Sequence, residues 1–226
     1  MTRAPQVKKS EVTRQHLLDT ALALFRKRGF DATTMRDIAV ASGLALGTAY
    51  YYFPSKDALL FAFYAANQVA TEARVRSYPA GEPLRARLGR LFHDRIRDVA
   101  PNRTLLGALL PRQVNPGDPV SALSRESAEV RARAIALFEA AIAPEGMSIA
   151  TRALAARALW VLHLAILAYL ASDRSPAQRK SHRLVDDALD LAVPLLALAG
   201  TPAVTPLLAQ VTAMLQRADL MTLARR

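Results

Sequence analysis

Between positions 33 and 56 the chain reads TTMRDIAVASGLALGTAYYYFPSK, and among the side chains left to face outward Arg36, Thr48, Tyr51, Tyr52 and Lys56 are cations or hydroxyl donors. Groups of this kind bind phosphate oxygens and the edges of bases. No comparable grouping points to catalysis. His16, His93, His163 and His182 are dispersed, and no two have the i, i+4 spacing with which a helix holds zinc. Asp186 and Asp187 are adjacent, so on a helix they diverge by about 100°. A glycine-rich phosphate loop and a nucleophile elbow are both missing. The absence of cysteine excludes disulfides and thiolate chemistry and is compatible with a reducing cytoplasm. These residues describe a binding protein rather than an enzyme, with no metal and no cofactor.

The elements that must position the five side chains are legible from punctuation. Thr33 and Thr34 are placed to cap a helix over residues 35–41, and Gly43 stops it, since glycine takes a left-handed conformation without a Cβ penalty. A second short helix, 45–52, can follow within three residues. Two short helices joined by a glycine-containing turn form a helix-turn-helix, with Ile38, Ala39, Leu44 and Phe53 as its apolar set. Gly47 inside the second helix costs about 1 kcal/mol against alanine, which fits a backbone that must approach a groove closely. Tyr50, Tyr51 and Tyr52 are successive, so they cannot all be buried on one helix face.

The run LFRKRGFDATTMRDIAVASGLALGTAYYYFPSKDALL, within residues 17–60, resembles the DNA-binding domain of the TetR family of bacterial transcriptional regulators. The matching features, in order, are the first helix, Gly29-Phe30, the threonine pair, Asp-Ile-Ala, the Gly43 turn, Gly-Thr, the tyrosine-rich second helix and the Phe53-Pro54-Ser55-Lys56 exit. The resemblance implies that the second helix lies in the major groove. By position in the family pattern, Arg36, Leu46, Gly47 and Tyr51 are candidates for base contacts, and Thr33, Thr34, Thr48, Tyr50, Tyr52 and Lys56 for phosphate contacts. This chain departs from the family at Ala45 and Leu46, where members often carry serine and then a polar residue or cation. Ala45 cannot cap with its side chain. Leu46 cannot hydrogen-bond a base, although it can touch a thymine methyl.

Charge and composition agree with this reading. The net charge is +11, and residues 1–56 hold nine Lys/Arg against four Asp/Glu, a higher basic density than the rest of the chain. A basic patch suits nucleic acid, and equally an anionic membrane. Arg3, Lys8 and Lys9 precede the first helix as a basic arm without an apolar run. The 15 uncharged residues 158–172 are short of a bilayer span, and residues 191–210 are broken by Pro194, Gly200, Pro202 and Pro206. A soluble, cytoplasmic protein with no membrane partner is expected.

Helical periodicity continues throughout. The first helix spans residues 10 or 11 to 28, with Leu18, Leu22 and Phe25 on one face. A fourth, 56–78, is capped by Ser55. Further helices are expected over 83–100, 102–111, 121–143, 148–172, 176–199 and 204–223, with Pro194 kinking or ending its helix. The fold class is all-α: an arm and helix-turn-helix domain over 1–56, then a larger helical domain over 57–226.

In the second domain, Leu154, Ala158, Ala165 and Ala168, and Leu184, Ala188, Leu191 and Leu195, form small or aliphatic faces suited to a four-helix bundle shared by two subunits. The resemblance agrees, since family members pair through their last long helices. Phe63, Phe92, His93, Ile96, Phe138, Trp160, His163, Leu164 and Leu167 are candidates to line a ligand cavity, mostly apolar with a few polar groups. Each taken alone is better explained as core; the family architecture favours a pocket for the set. The resemblance thus implies a homodimer that binds a palindromic double-stranded operator and is released by a small-molecule effector. The competing reading is a DNA-associated architectural or membrane-surface protein that uses its charge without sequence preference.

Overall fold

The computed structural model describes residues 9–217 except 80 and 116; the arm residues Arg3 and Lys8 and the expected helical residues 218–223 lie outside this range. All regular structure among the described residues is helical. The Cα packing separates two compact units, Met1–Ala66 and Asn67–Arg226, and the division falls inside the fourth helix.

The first unit contains α1 (Lys9–Arg28), α2 (Met35–Ala41), α3 (Leu46–Tyr52) and the start of α4 (Lys56–Val75). Leu17, Leu18, Phe25, Ile38, Ala49, Phe53, Leu59 and Leu60 make its core, each at most 2% exposed. The α1 ladder ends where Gly29, at φ 89°, donates its N–H to the carbonyl of Phe25. Phe30 then folds back so that its ring lies 4.9 Å from that of Phe25. Thr34 caps α2: its hydroxyl accepts the N–H of Asp37, and the Asp37 carboxylate accepts the N–H of Thr34, a reciprocal capping box. Hydrogen bonds from Thr34 hold the Asp37 carboxyl below its usual range. Thr34→Ala is expected to lower stability by about 1 kcal/mol in urea unfolding, with Thr34→Ser restoring it. After α2, Gly43 at φ 66° turns the chain, and the N–H of Leu44 reaches back to the carbonyl of Ala39.

The second unit holds the remainder of α4 with α5 (Leu84–Val99), α6 (Arg103–Gln113), α7 (Ala128–Ile142), α8 (Ile149–Ser172), α9 (Arg179–Ala199) and α10 (Thr205–Arg217). Its core joins α5, α7, α8 and α9 through Leu88, Phe92, Ile96, Phe138, Ile142, Ala156, Leu159, Ile166, Leu170, Val185 and Leu189. Ion pairs tie the helices at the surface, as in Arg133 with Glu72 at 2.6 Å and Arg85 with Asp190 at 2.7 Å.

Two expectations about this unit are corrected. The helix expected from residue 121 begins at Ala128. Ser121, Ser124 and Ser127 are buried, and their hydroxyls take over backbone bonds: Leu123 N–H donates to Ser121 Oγ, and Ser127 N–H to Ser124 Oγ. Such local side-chain bonds compete with a helix, and Arg131 Nη1 locks the turns by donating to the carbonyls of Ala122 and Ser124. Pro194, in turn, does not end α9, which runs through it to Ala199. Finally, α8 is longer than its uncharged stretch: its 24 residues have the length and hydropathy of a membrane span. Its Ala156, Leu159, Ile166 and Leu170 are nevertheless packed into the helical core.

Candidate nucleic-acid interface and the polar core of the second unit

The turn after Gly43 and the exit at Phe53 fix how α3 is presented. Only Ala49 of α3 is buried, at 0% exposure, anchoring the helix on the first unit's core. Tyr51 is 82% exposed and Tyr50 48%. Tyr52 is half-buried, with its ring edge-on to Tyr51 at 5.2 Å. Gly47 and Arg36 are exposed, and Leu46 and Thr48 half-buried. Ala45 is the N-cap of α3 and makes no side-chain cap bond; the Thr48 N–H of the first turn donates instead to the Ala45 carbonyl at 2.9 Å.

Three of the sequence candidates have structural duties. Thr33 is fully buried with its hydroxyl donated to the carbonyl of Gly29 at 2.7 Å, so its side chain holds the α1–α2 connection and does not face outward; this corrects its assignment as a phosphate ligand. Thr34 is exposed, although its hydroxyl serves the capping box. Lys56 sits over the Phe30 ring at 4.4 Å and donates to the Phe30 carbonyl at 2.7 Å. A half-buried ammonium in this position fastens α4 to the Phe30 turn. Sequence reading also missed Arg14, whose guanidinium lies 4.8 Å over the Phe53 ring.

The ligand candidates divide. Phe63 belongs to the first unit and is buried there. In the second unit, Phe92, Phe138 and His163 converge, with ring centroids 5.3 Å apart for Phe92–Phe138, 6.2 Å for Phe92–His163 and 5.9 Å for Phe138–His163. Ile96 and Trp160 are buried in the same core, and Leu164 and Leu167 pack against it. His93 turns elsewhere: its Nδ1 is 2.7 Å from Nδ1 of His182 and its Nε2 is 3.2 Å from Asp186. Among the described residues, no three His, Asp or Glu side chains are arranged to hold a metal.

Arg95 is the polar residue of this core that the sequence reading overlooked. It donates to Thr71 Oγ1 at 2.9 Å, and its Nη2 lies 3.4 Å from His163 Nε2. The signal was available, because Leu88, Phe92, Arg95 and Val99 follow helical spacing and a cation interrupts an otherwise apolar face. Burial, reinforced by the Arg95 charge, pushes the His163 imidazole well below its ordinary 6.5; burial, the His93 ring and Arg97 lower His182 as well. Both rings are therefore held neutral in the folded protein and protonate more readily once it unfolds. Their contribution to stability is complete above about pH 6.5 and is lost as the pH falls below it, because the unfolded chain then binds more protons. Thermal midpoints are expected to fall between pH 7.5 and 5.5, with a shallower slope after His163→Gln.

Comparison with known proteins extends over both units. Residues 17–63 match the family model for bacterial regulatory proteins of the tetR family, and residues 87–213 match the model for the tetracyclin repressor-like C-terminal domain. The repressor KstR of Rhodococcus jostii is 39% identical over 71 residues, 31% of this chain and 34% of that protein. KstR2 of the same organism is 49% identical over 47 residues, 21% of this chain and 23% of its own length. These alignments therefore span about a third or less of the relatives. FadR of Thermus thermophilus, a TetR-family repressor solved in complex with lauroyl-CoA, is similar across 81% of this chain and 92% of its own, at 26% identity and a TM-score of 0.61. GusR of Salmonella enterica shares the fold over 85% of this chain and 99% of its own, with 22% identity and a TM-score of 0.64. With its helix-turn-helix covered by one family model and more than half of its length by the other, the chain belongs to the TetR family of bacterial regulatory proteins.

Proposed function

We propose that the protein is a cytoplasmic, homodimeric repressor of transcription that binds a palindromic operator and is released by a small-molecule effector held in the second unit. The observation that carries this reading is the presentation of α3. The helix is anchored by Ala49 alone and turns Gly47, Tyr50 and Tyr51 to solvent, with Arg36 exposed on α2. Tyrosine hydroxyls and a guanidinium offer donors to base edges and phosphates, and Leu46 offers an apolar contact to a thymine methyl. Family membership favours a sequence-reading regulator over a nonspecific architectural protein.

Dimerisation is supported by two exposed apolar stripes. Ala158, Val161, Ala165 and Tyr169 on α8, and Leu184, Leu191, Leu195 and Leu198 on α9, recur at spacings of three, four or seven and face solvent. Two copies that pair these helices form an isologous four-helix interface. The effector acts only if it prefers the conformation that cannot engage DNA. α4, which contributes residues to both units, is the element through which that preference would reach α3.

The test is selection of bound duplexes from random DNA by the purified protein, followed by footprinting. A palindrome with half-sites about one helical turn apart supports the proposal. Equal recovery of all sequences would remove it, and retention on anionic vesicles without DNA selectivity would favour the membrane-surface reading instead.

A further inference from the structure

The second unit encloses a cation that has no ion-pair partner among the described residues. Arg95, on α5, is closely surrounded by protein, and among the described residues no carboxylate lies within ion-pair distance of it; its polar neighbours are Thr71 Oγ1 and the neutral His163 ring. Asp98, whose charge favours the Arg95 cation, is itself paired with Arg74 at 2.9 Å, and the Arg74 charge opposes that of Arg95. A desolvated guanidinium without a counter-charge is expensive for the fold, whereas a bidentate carboxylate would satisfy both its charge and its free N–H groups.

Although Arg95 is closely surrounded, the residue retains some accessible surface. Beside its guanidinium stands the His163 ring, which packs with Phe92 and Phe138, and Leu164 and Leu167 of α8 lie against the same core.

We propose that Arg95 is the anchor of the effector site and that the effector is an amphipathic monoanion, a carboxylate whose head group pairs with Arg95 and whose apolar body lies along the Phe92, Phe138 and Leu167 side. The inference rests on the reading of the second unit as an effector domain. The charge balance selects the class: one guanidinium facing a neutral imidazole matches one negative charge, whereas a dianionic phosphate would leave a buried excess. Thr71 belongs to α4, so a ligand that takes hydrogen bonds from Arg95 competes with the bond that ties Arg95 to that helix.

The experiment uses the full-length protein and a panel of probes: hexanoate, decanoate, hexadecanoate and phenylbutyrate, each against the corresponding alcohol, by calorimetry and by release of the selected operator. At least one carboxylate is expected to bind about ten- to a hundredfold more tightly than its alcohol, the range of a charge-assisted hydrogen bond. Arg95→Met should erase that difference while leaving binding of the alcohol in place, and Arg95→Lys should preserve part of it. Because an unpaired charge is removed, Arg95→Met should also unfold at a temperature no lower than the parent. The proposal is overturned if no carboxylate outbinds its alcohol, if the preference survives in Arg95→Met, or if Arg95→Met is markedly destabilised, which would make Arg95 a structural residue. Release of operator by uncharged compounds alone would overturn the anionic class and leave the regulatory reading standing; a protein that selects no operator would remove the regulatory reading, while the carboxylate preference is decided by calorimetry.

Discussion

Replacing Leu191 and Leu195 together by glutamate is expected to yield a monomer and to weaken operator binding by about a thousandfold or more. Both side chains stand on the outer face of α9, 72% and 64% exposed. Their exchange removes little from the core of one chain, and the thermal midpoint of the monomer should stay near that of the parent under dilute conditions. In a dimer that pairs α8 and α9, the same positions from two copies meet, and four carboxylates in an apolar seam cannot be desolvated. A monomer has one reading head, so the second half-site no longer adds to affinity. Analytical ultracentrifugation and fluorescence anisotropy with the selected operator measure the two effects. Persistence of the dimer would place the interface on another surface.

The second large effect lies in the first unit. Phe25→Ala should destabilise it by about 3–5 kcal/mol, the range for removing a buried aromatic ring. Phe25 is 1% exposed and packs at 4.9 Å on Phe30, whose ring also receives the Lys56 ammonium at 4.4 Å. The cavity would therefore loosen a three-residue stack that joins the end of α1, the Phe30 turn and the start of α4. Urea unfolding followed alongside operator binding reads the result. Phe25→Leu, closer in volume, should cost under about 2 kcal/mol, and a Phe25→Ala variant as stable as the parent would show that the stack contributes nothing.

The two units differ in how openly their sequence announces them. In the first, helix boundaries rest on local chemistry: Thr34 and Asp37 close a box, Gly29 and Gly43 take positive φ, and Ser55 accepts the N–H of Ala58. Each signal sits within a few residues of what it controls, so α1, α2 and α3 are legible almost to the residue. The outward stripe of α9 was equally legible, because Leu184, Leu191 and Leu195 keep helical spacing over three turns.

Features that depend on distant partners were not. The start of α7 is delayed by serine hydroxyls and by Arg131, whose usefulness appears only once the chain is folded. Pro194 reads as a breaker, yet α9 continues through it to Ala199. Thr33 reads as a surface hydroxyl and is buried because Gly29 offers its carbonyl four residues earlier. Arg95 stands on the apolar face of α5 in the sequence as well, but its partners Thr71 and His163 come from other helices and appear only with packing.

The helix proposed to read the groove carries no acidic or basic residue at all: α3 runs Leu46–Tyr52 through glycine, threonine, alanine and three tyrosines. Counterion release comes from cations that neutralise phosphates, so α3 contributes almost nothing to it. In the proposed operator complex, rising ionic strength would therefore weaken the phosphate contacts made outside α3, while the ratio of operator to arbitrary-DNA affinity that α3 carries would be kept.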